Sequence, residues 1–189
     1  MFNELIVLLN HFDIEFSLFI QKVLSTKFLD YFFLTMTDLH LQRGFQIFII
    51  APLIFYWIWK DRKKGVSRLF GLITTLAIVD FFCGQVIKKC FARPRPFVEV
   101  SEIIQKSPAS GFSFVSNHSA NIVCLAFFMS NFFPQWRKFW WALAILVGFS
   151  RIYNGVHYLT DVMVGALIGW IISKISLTIW IRNLGTELL

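Results

Sequence analysis

The sequence predicts an all-α fold, a polytopic bundle of transmembrane helices, on three observations. Hydrophobic residues fill 57% of the 189 positions, charged residues only 15%, and the mean hydropathy is +0.64. Average soluble domains carry about a quarter charged residues. The 23 Phe and 7 Trp give more apolar surface than a water-soluble domain of this length can hide. Long apolar runs also recur along the chain, each bounded by basic or turn residues. The length suits a single domain over 1–189, read as an N-terminal region, 1–43, and a core, 44–181.

A bilayer core of ~30 Å needs about 20 helical residues. In the first 43 residues the apolar clusters at 5–9, 16–20 and 31–34 are interrupted by Asp13, Glu15, Lys22, Lys27, Asp30 and Asp38. Amphipathic helices lying at the membrane interface are expected there, with a tilted sixth span as the alternative. The first clear span is 44–59, aromatic at its end and followed by Lys60, Asp61, Arg62, Lys63 and Lys64. The second covers 69–87 with one acid, Asp80, inside it. A polar loop, 88–110, holds Arg93-Pro94-Arg95-Pro96. The third span is 112–134, the fourth 139–153 after Trp136-Arg137-Lys138, and the fifth 159–181 after an Asn154-Gly155 turn. Gly165 and Gly169 make a small-xxx-small step suited to close helix packing inside the bundle.

The net charge is +7, from 18 Lys+Arg against 11 Asp+Glu. The basic residues are divided among short loops, which argues against a nucleic-acid partner, since that needs a continuous basic face. One membrane side receives Lys60, Arg62, Lys63, Lys64, Arg68, Arg137, Lys138 and Arg182, and the positive-inside rule makes it cytoplasmic. Lys88, Lys89, Arg93, Arg95, Lys106 and Arg151 fall on the other side, against that bias. A bound anion explains them. Cys83, Cys90 and Cys124 are odd in number, lack metal-type spacing and are expected to stay reduced.

Parity gathers four polar clusters at one face. Span two ends at Lys88, with Arg95 beyond it; span three begins with Ser116-Asn117-His118; span four ends with Ser150-Arg151; His157 and Asp161 open span five. Arginine grips phosphate oxygens bidentately and lysine adds a point charge. A helix starting near Ser116 presents N–H groups to an anion. Spacing of four places His157 and Asp161 on one side, so that the carboxylate takes Nδ1–H and leaves Nε2 as a nucleophile. The second imidazole, His118, then protonates the leaving oxygen. No acidic cluster suggests a metal, because Asp161 stands alone on this face, and no cofactor is expected. His11 and His40 read as interfacial residues, Lys89 and Arg93 as headgroup contacts, and Asp80 as a structural acid pairing with a hydroxyl or basic group inside the bundle. Asn121, three residues after His118, is placed to support the site.

These motifs resemble the type 2 phosphatidic acid phosphatase family. Its first motif, K-x6-R-P, is met by Lys88, Arg95 and Pro96. The second, P-S-G-H, stands here as Val115-Ser116-Asn117-His118, with Val and Asn in place of Pro and Gly. The third, S-R-x5-H-x3-D, is met by Ser150, Arg151, His157 and Asp161. The resemblance covers about residues 44–181. It implies that His157 attacks phosphorus to give a phosphohistidine, Asp161 orients it and His118 is the general acid. Lys88, Arg95, Ser116 and Arg151 would hold the phosphoryl oxygens, aided by the backbone N–H groups of Asn117 and His118. It further implies a lipid phosphate or diphosphate substrate, undecaprenyl diphosphate first, then phosphatidic acid, phosphatidylglycerophosphate or a lipid A phosphate. The expected place is a bacterial inner membrane with the site at the extracytoplasmic face. Transfer of the phosphoryl group to a second lipid uses the same residues, and a non-catalytic anion transporter or a scaffold are the rival readings. A transporter predicts polar residues along the whole path, whereas here they concentrate at one end.

Overall fold

A computed structural model describes residues 2–38, 43 and 46–184, and His40 lies outside them. Every regular element among the described residues is helical. The N-terminal region forms α1 (Phe2–Leu24) and α2 (Lys27–Thr37), the latter started by Thr26, whose hydroxyl accepts the Leu29 N–H at 3.2 Å. A π-helical turn, Gln46–Ile50, leads into α3 (Ala51–Lys60). Asp61 breaks the chain and caps the next helix by accepting the Lys64 N–H at 3.1 Å. That helix, α4 (Arg62–Phe81), runs on through a π-helical stretch, Phe82–Ile87, into α5 (Lys88–Phe91). The helix is therefore longer at both ends than the apolar run 69–87. Lys88 belongs to its last turn, where cations suit the helix dipole. Ala92 ends it in the left-handed region, φ 45°.

The loop that follows contains one turn, α6 (Pro96–Glu99), opened by Pro96. Then come α7 (Asn117–Phe132), α8 (Arg137–Tyr153) and α9 (Leu159–Leu184). Helix α7 starts later than the apolar run beginning at 112 because the preceding backbone pairs elsewhere. Ser113 N–H donates to Arg93 O at 2.8 Å and Ser116 N–H to Asp161 O at 3.1 Å. Two stretches, Arg62–Glu99 and Leu159–Arg182, are long and apolar enough to cross a membrane. With 16 and 17 residues, α7 and α8 rise only about 24 and 26 Å. Length alone therefore marks two of the five expected crossings.

Helix α7 is central, packed between α8 and α9 and against α4. The glycine step of α9 makes this possible. A Cβ at Gly169 would lie 2.3 Å from Ala120 O, and one at Gly165 would lie 2.6 Å from Ser116 O. The α9 backbone thus rests on the first turns of α7, which brings Asp161 beside Ser116. The main core joins Trp57, Leu72, Val79, Phe128, Met129 and Leu177, with Trp57 stacked on Phe133 at 5.6 Å. A second core seats the N-terminal helices: Ile20 and Phe33 pack on Ile152 and Tyr153, the Phe33 and Tyr153 rings being 4.6 Å apart. Asp13 is fully buried at this junction. Over its described residues the N-terminal region is helical, as expected, and it is also part of the packed body.

Candidate active site

The segment between α8 and α9 is held rigidly. Gly155 adopts φ +69°, and a Cβ there would meet Ile104 O at 2.5 Å. The N–H groups of Val156 and His157 both donate to Arg151 O, at 3.2 and 3.3 Å. Tyr158 N–H then donates to Asp161 Oδ2 at 2.9 Å, the reciprocal half of a capping box that starts α9. His157 consequently sits just before the helix. It meets Asp161 through this capping turn and not through the helical spacing expected.

The His157 ring is 2% exposed. Its Nε2 lies 3.3 Å from Arg95 Nη1. A guanidinium only donates, so Nε2 is the lone-pair nitrogen and the proton is on Nδ1. That Nδ1 is 3.4 Å from Ser113 Oγ and 3.6 Å from Asp161 Oδ2. The second distance is too long for a hydrogen bond but within ion-pair range, so Asp161 faces Nδ1 as expected without bonding it directly. Ser113 stands between, donating its own hydroxyl to Asp161 Oδ2. Burial pushes the His157 imidazole down, to about 3, with Asp161 opposing that fall and Arg95 and Arg151 adding to it. The ring is neutral at ordinary pH.

A cavity of about 990 Å³ opens on this ring, and Lys88, Arg95, Asn117, His118, Arg151 and His157 all line it. Lys88 Nζ donates to Phe112 O at 3.1 Å. Arg95 is fixed by three backbone carbonyls, those of Gly111, Val156 and Ser110, at 3.0, 2.8 and 2.7 Å. Arg151 donates Nη1 to Thr37 Oγ1 at 2.5 Å, and its buried Nε has no partner. The structure therefore brings six of the eight expected residues to one cavity. The remaining two, Ser116 and Asp161, are fully buried. The Ser116 hydroxyl caps α7 by accepting Ser119 N–H at 3.4 Å, so it shapes the N-terminal end of that helix.

Several expectations are corrected. Arg93 does not face headgroups: it donates to Asp161 Oδ1 at 2.9 Å, Asp13 Oδ2 at 2.8 Å and Thr160 Oγ1 at 2.8 Å, and stacks 4.0 Å over the Tyr158 ring. Asp161 is therefore not an isolated acid, because Arg93 ties it to Asp13 of α1. Asp13 also accepts Thr160 N–H at 3.0 Å. Asp80 pairs with two amides, those of Asn117 and Asn121, instead of a hydroxyl or a base. The N-terminal region contributes further groups that the sequence did not single out. Thr37 meets Arg151, and Asp38 Oδ1 lies 3.8 Å from His118 Nε2, in ion-pair range when that ring carries its proton. The available signal was the recurrence of acids in an otherwise apolar N-terminal stretch. Cys83, Cys90 and Cys124 are free, two of them buried. Among the described residues no three His, Cys, Asp or Glu side chains converge as a metal site would require.

The chain is 30% identical over 152 residues to a lipid A 4'-phosphatase of Porphyromonas gingivalis, a match covering 75% of this chain and 64% of that protein. It is 30% identical over 126 residues to an undecaprenyl-diphosphatase of Sulfolobus acidocaldarius, covering 64% of this chain and 57% of that one. The chain thus spans somewhat less than two thirds of the length of these relatives. The crystal structure of Aquifex aeolicus LpxE matches with a TM-score of 0.67 at 28% identity, over 87% of this chain and 93% of that one. A transmembrane PAP2 type phosphatidylglycerolphosphate phosphatase of Bacillus subtilis shares the fold, with a TM-score of 0.70 at 22% identity over 94% of this chain and 88% of that one. Residues 66–184 match the PAP2 superfamily itself. That match takes in more than half of the chain and all three motifs, so the chain belongs to the PAP2 superfamily, the type 2 phosphatidic acid phosphatases that its motifs resemble.

Proposed function

We propose that this chain is an integral membrane phosphatase that hydrolyses a lipid phosphate or diphosphate through a phosphohistidine on His157. The observation that carries the reading is the orientation of the His157 ring. Its Nε2 lone pair faces the Arg95 guanidinium at the wall of a cationic cavity, while its Nδ1 side is turned to Ser113 and Asp161.

Lys88, Arg95 and Arg151 hold the phosphoryl oxygens with the first N–H groups of α7. The Nε2 lone pair attacks phosphorus, and the bond from phosphorus to the lipid oxygen breaks as His118 delivers a proton to that oxygen. The positive charge formed on the His157 ring is met through Ser113 by Asp161. Water, losing a proton to His118, then attacks the phosphohistidine, breaks the P–N bond and releases inorganic phosphate. No step needs a metal, since the side chains supply the charge. With a second lipid alcohol in place of water the same residues would run a phosphotransfer.

The cavity continues from the cationic end between apolar residues, Leu53, Trp57, Leu76, Leu125 and Trp140, which suits a lipid tail. We infer, by reading five spans with the basic loops at the cytoplasmic side, that the cationic end lies at the extracytoplasmic face of a bacterial inner membrane. The names of the relatives support lipid A phosphate, undecaprenyl diphosphate and phosphatidylglycerophosphate as substrates, while phosphatidic acid is implied by the family resemblance.

His157→Ala is expected to lower phosphate release from every lipid substrate by at least about three orders of magnitude while the purified protein stays folded; substantial residual turnover would remove the nucleophile. The pH dependence of kcat/KM, corrected for the ionisation of the substrate's own phosphate, should show no fall between about 6.5 and 5. His157 is already neutral there, and an ordinary imidazole would titrate in that range. An acid limb from an enzyme group near 6.5 would contradict the buried neutral ring. Arg93→Gln leaves two buried carboxylates without their cation, and kcat should fall more than about tenfold, with thermal stability in detergent falling too. Unchanged kcat would show that Arg93 does not position Asp161.

A further inference from the structure

Asp80 is not used by the reaction described above. It lies in an apolar run of α4, where an ionisable group is costly and marks a function by default. It is an exposed residue that lines the cavity. Its Oδ1 accepts the Nδ2 of Asn117 at 3.0 Å and that of Asn121 at 3.1 Å, two amides one turn apart on α7. Gly84, one turn on from Asp80, admits the pair, since a Cβ there would lie 2.8 Å from Asn117 Nδ2. A carboxylate only accepts, so each amide must turn its NH2 to Asp80 and its Oδ1 away. Both Oδ1 atoms are buried without a partner. Both NH2 groups are thus committed to one carboxylate oxygen and hold it in place at the cavity wall. Among the described residues no donor reaches Asp80 Oδ2.

We propose that Asp80, braced by Asn117 and Asn121, is an acceptor subsite that reads an amide N–H or hydroxyl on the lipid side of the scissile phosphate ester. The inference rests on the lipid-phosphate reading and narrows it. Asn117 adjoins His118, so the subsite borders the place of the leaving oxygen. Lys88 stands about two turns further along the same helix, so Asp80 lies on the inner, apolar side of the cationic end. A donor reaching it belongs to the linkage between phosphate and tail. N-acylated sugar phosphates and sphingoid phosphates carry amide N–H or hydroxyl groups there. Diacylglycerol phosphates present ester carbonyls, and polyprenyl diphosphates present no donor.

The test uses the full chain in detergent micelles and two phosphate monoesters of matched chain length. Ceramide 1-phosphate has an amide N–H and a hydroxyl beside the phosphate, and phosphatidic acid has neither. The wild-type ratio of kcat/KM, ceramide phosphate over phosphatidic acid, is expected at about 10 to 100, the worth of one charge-assisted hydrogen bond. Asp80→Leu should bring it near one, and Asn121→Leu should lower it severalfold by loosening the carboxylate. Equilibrium binding of both lipids to the His157→Ala protein, which requires no turnover, should show the same preference. A ratio that Asp80→Leu leaves unchanged, even if both rates drop, overturns the subsite, as does a wild-type ratio below one. Phosphate release from neither lipid, nor from any of the lipid phosphates and diphosphates named above, would count against the phosphatase reading itself, while the binding ratio still decides the subsite.

Discussion

A fully buried carboxylate, Asp161, governs how this molecule is built. Removing a charge from water is expensive unless donors surround it. Asp161 receives the Arg93 guanidinium, the Ser113 hydroxyl and the Tyr158 N–H, and stands beside His157. Each donor comes from a different part of the chain: the loop after α5, the approach to α7 and the entry to α9. Satisfying one carboxylate therefore fixes three connections relative to each other. Arg93 extends the constraint to α1 through Asp13, whose own oxygens accept from Thr160. The N-terminal helices are in this way attached to the candidate site, although they carry none of the motif residues.

The same arrangement separates orientation from grip. Arg95 is bound to three carbonyls and so cannot swing, and its remaining direction is towards His157 Nε2. In the proposed reaction, a cation fixed in advance against this nitrogen stabilises charge on an arriving phosphoryl group without reorganising. Lys88 donates to one backbone carbonyl and Arg151 to one hydroxyl, and both keep donors for a ligand. Neutrality of His157, a consequence of its burial, leaves an Nε2 lone pair for the attack proposed.

Helices and their order were legible because apolar runs bounded by basic residues report burial in lipid or core directly. Residues in three spaced motifs were legible because they lie at helix ends, where parity alone assigns them to one face. Exact starts were not. Ser113 and Ser116 lose their place in α7 to backbone partners at Arg93 and Asp161, long-range pairings that no local pattern contains. Arg93 escaped for the same reason: its partners Asp13 and Asp161 are 80 and 68 residues away. Asp80 was visible as an anomaly in an apolar run, but its amide partners sit on another helix, and only the missing side chain at Gly84 lets them meet.

The most direct test of the account is to catch the covalent intermediate. Purified protein is mixed with a lipid phosphate labelled at phosphorus, quenched in alkali within one turnover, digested and sequenced by mass spectrometry. The account predicts an alkali-stable, acid-labile phosphoryl group on His157 that appears and decays at rates matching turnover. Full turnover with no phosphate on His157 at any time, or with the label on another side chain, would contradict it.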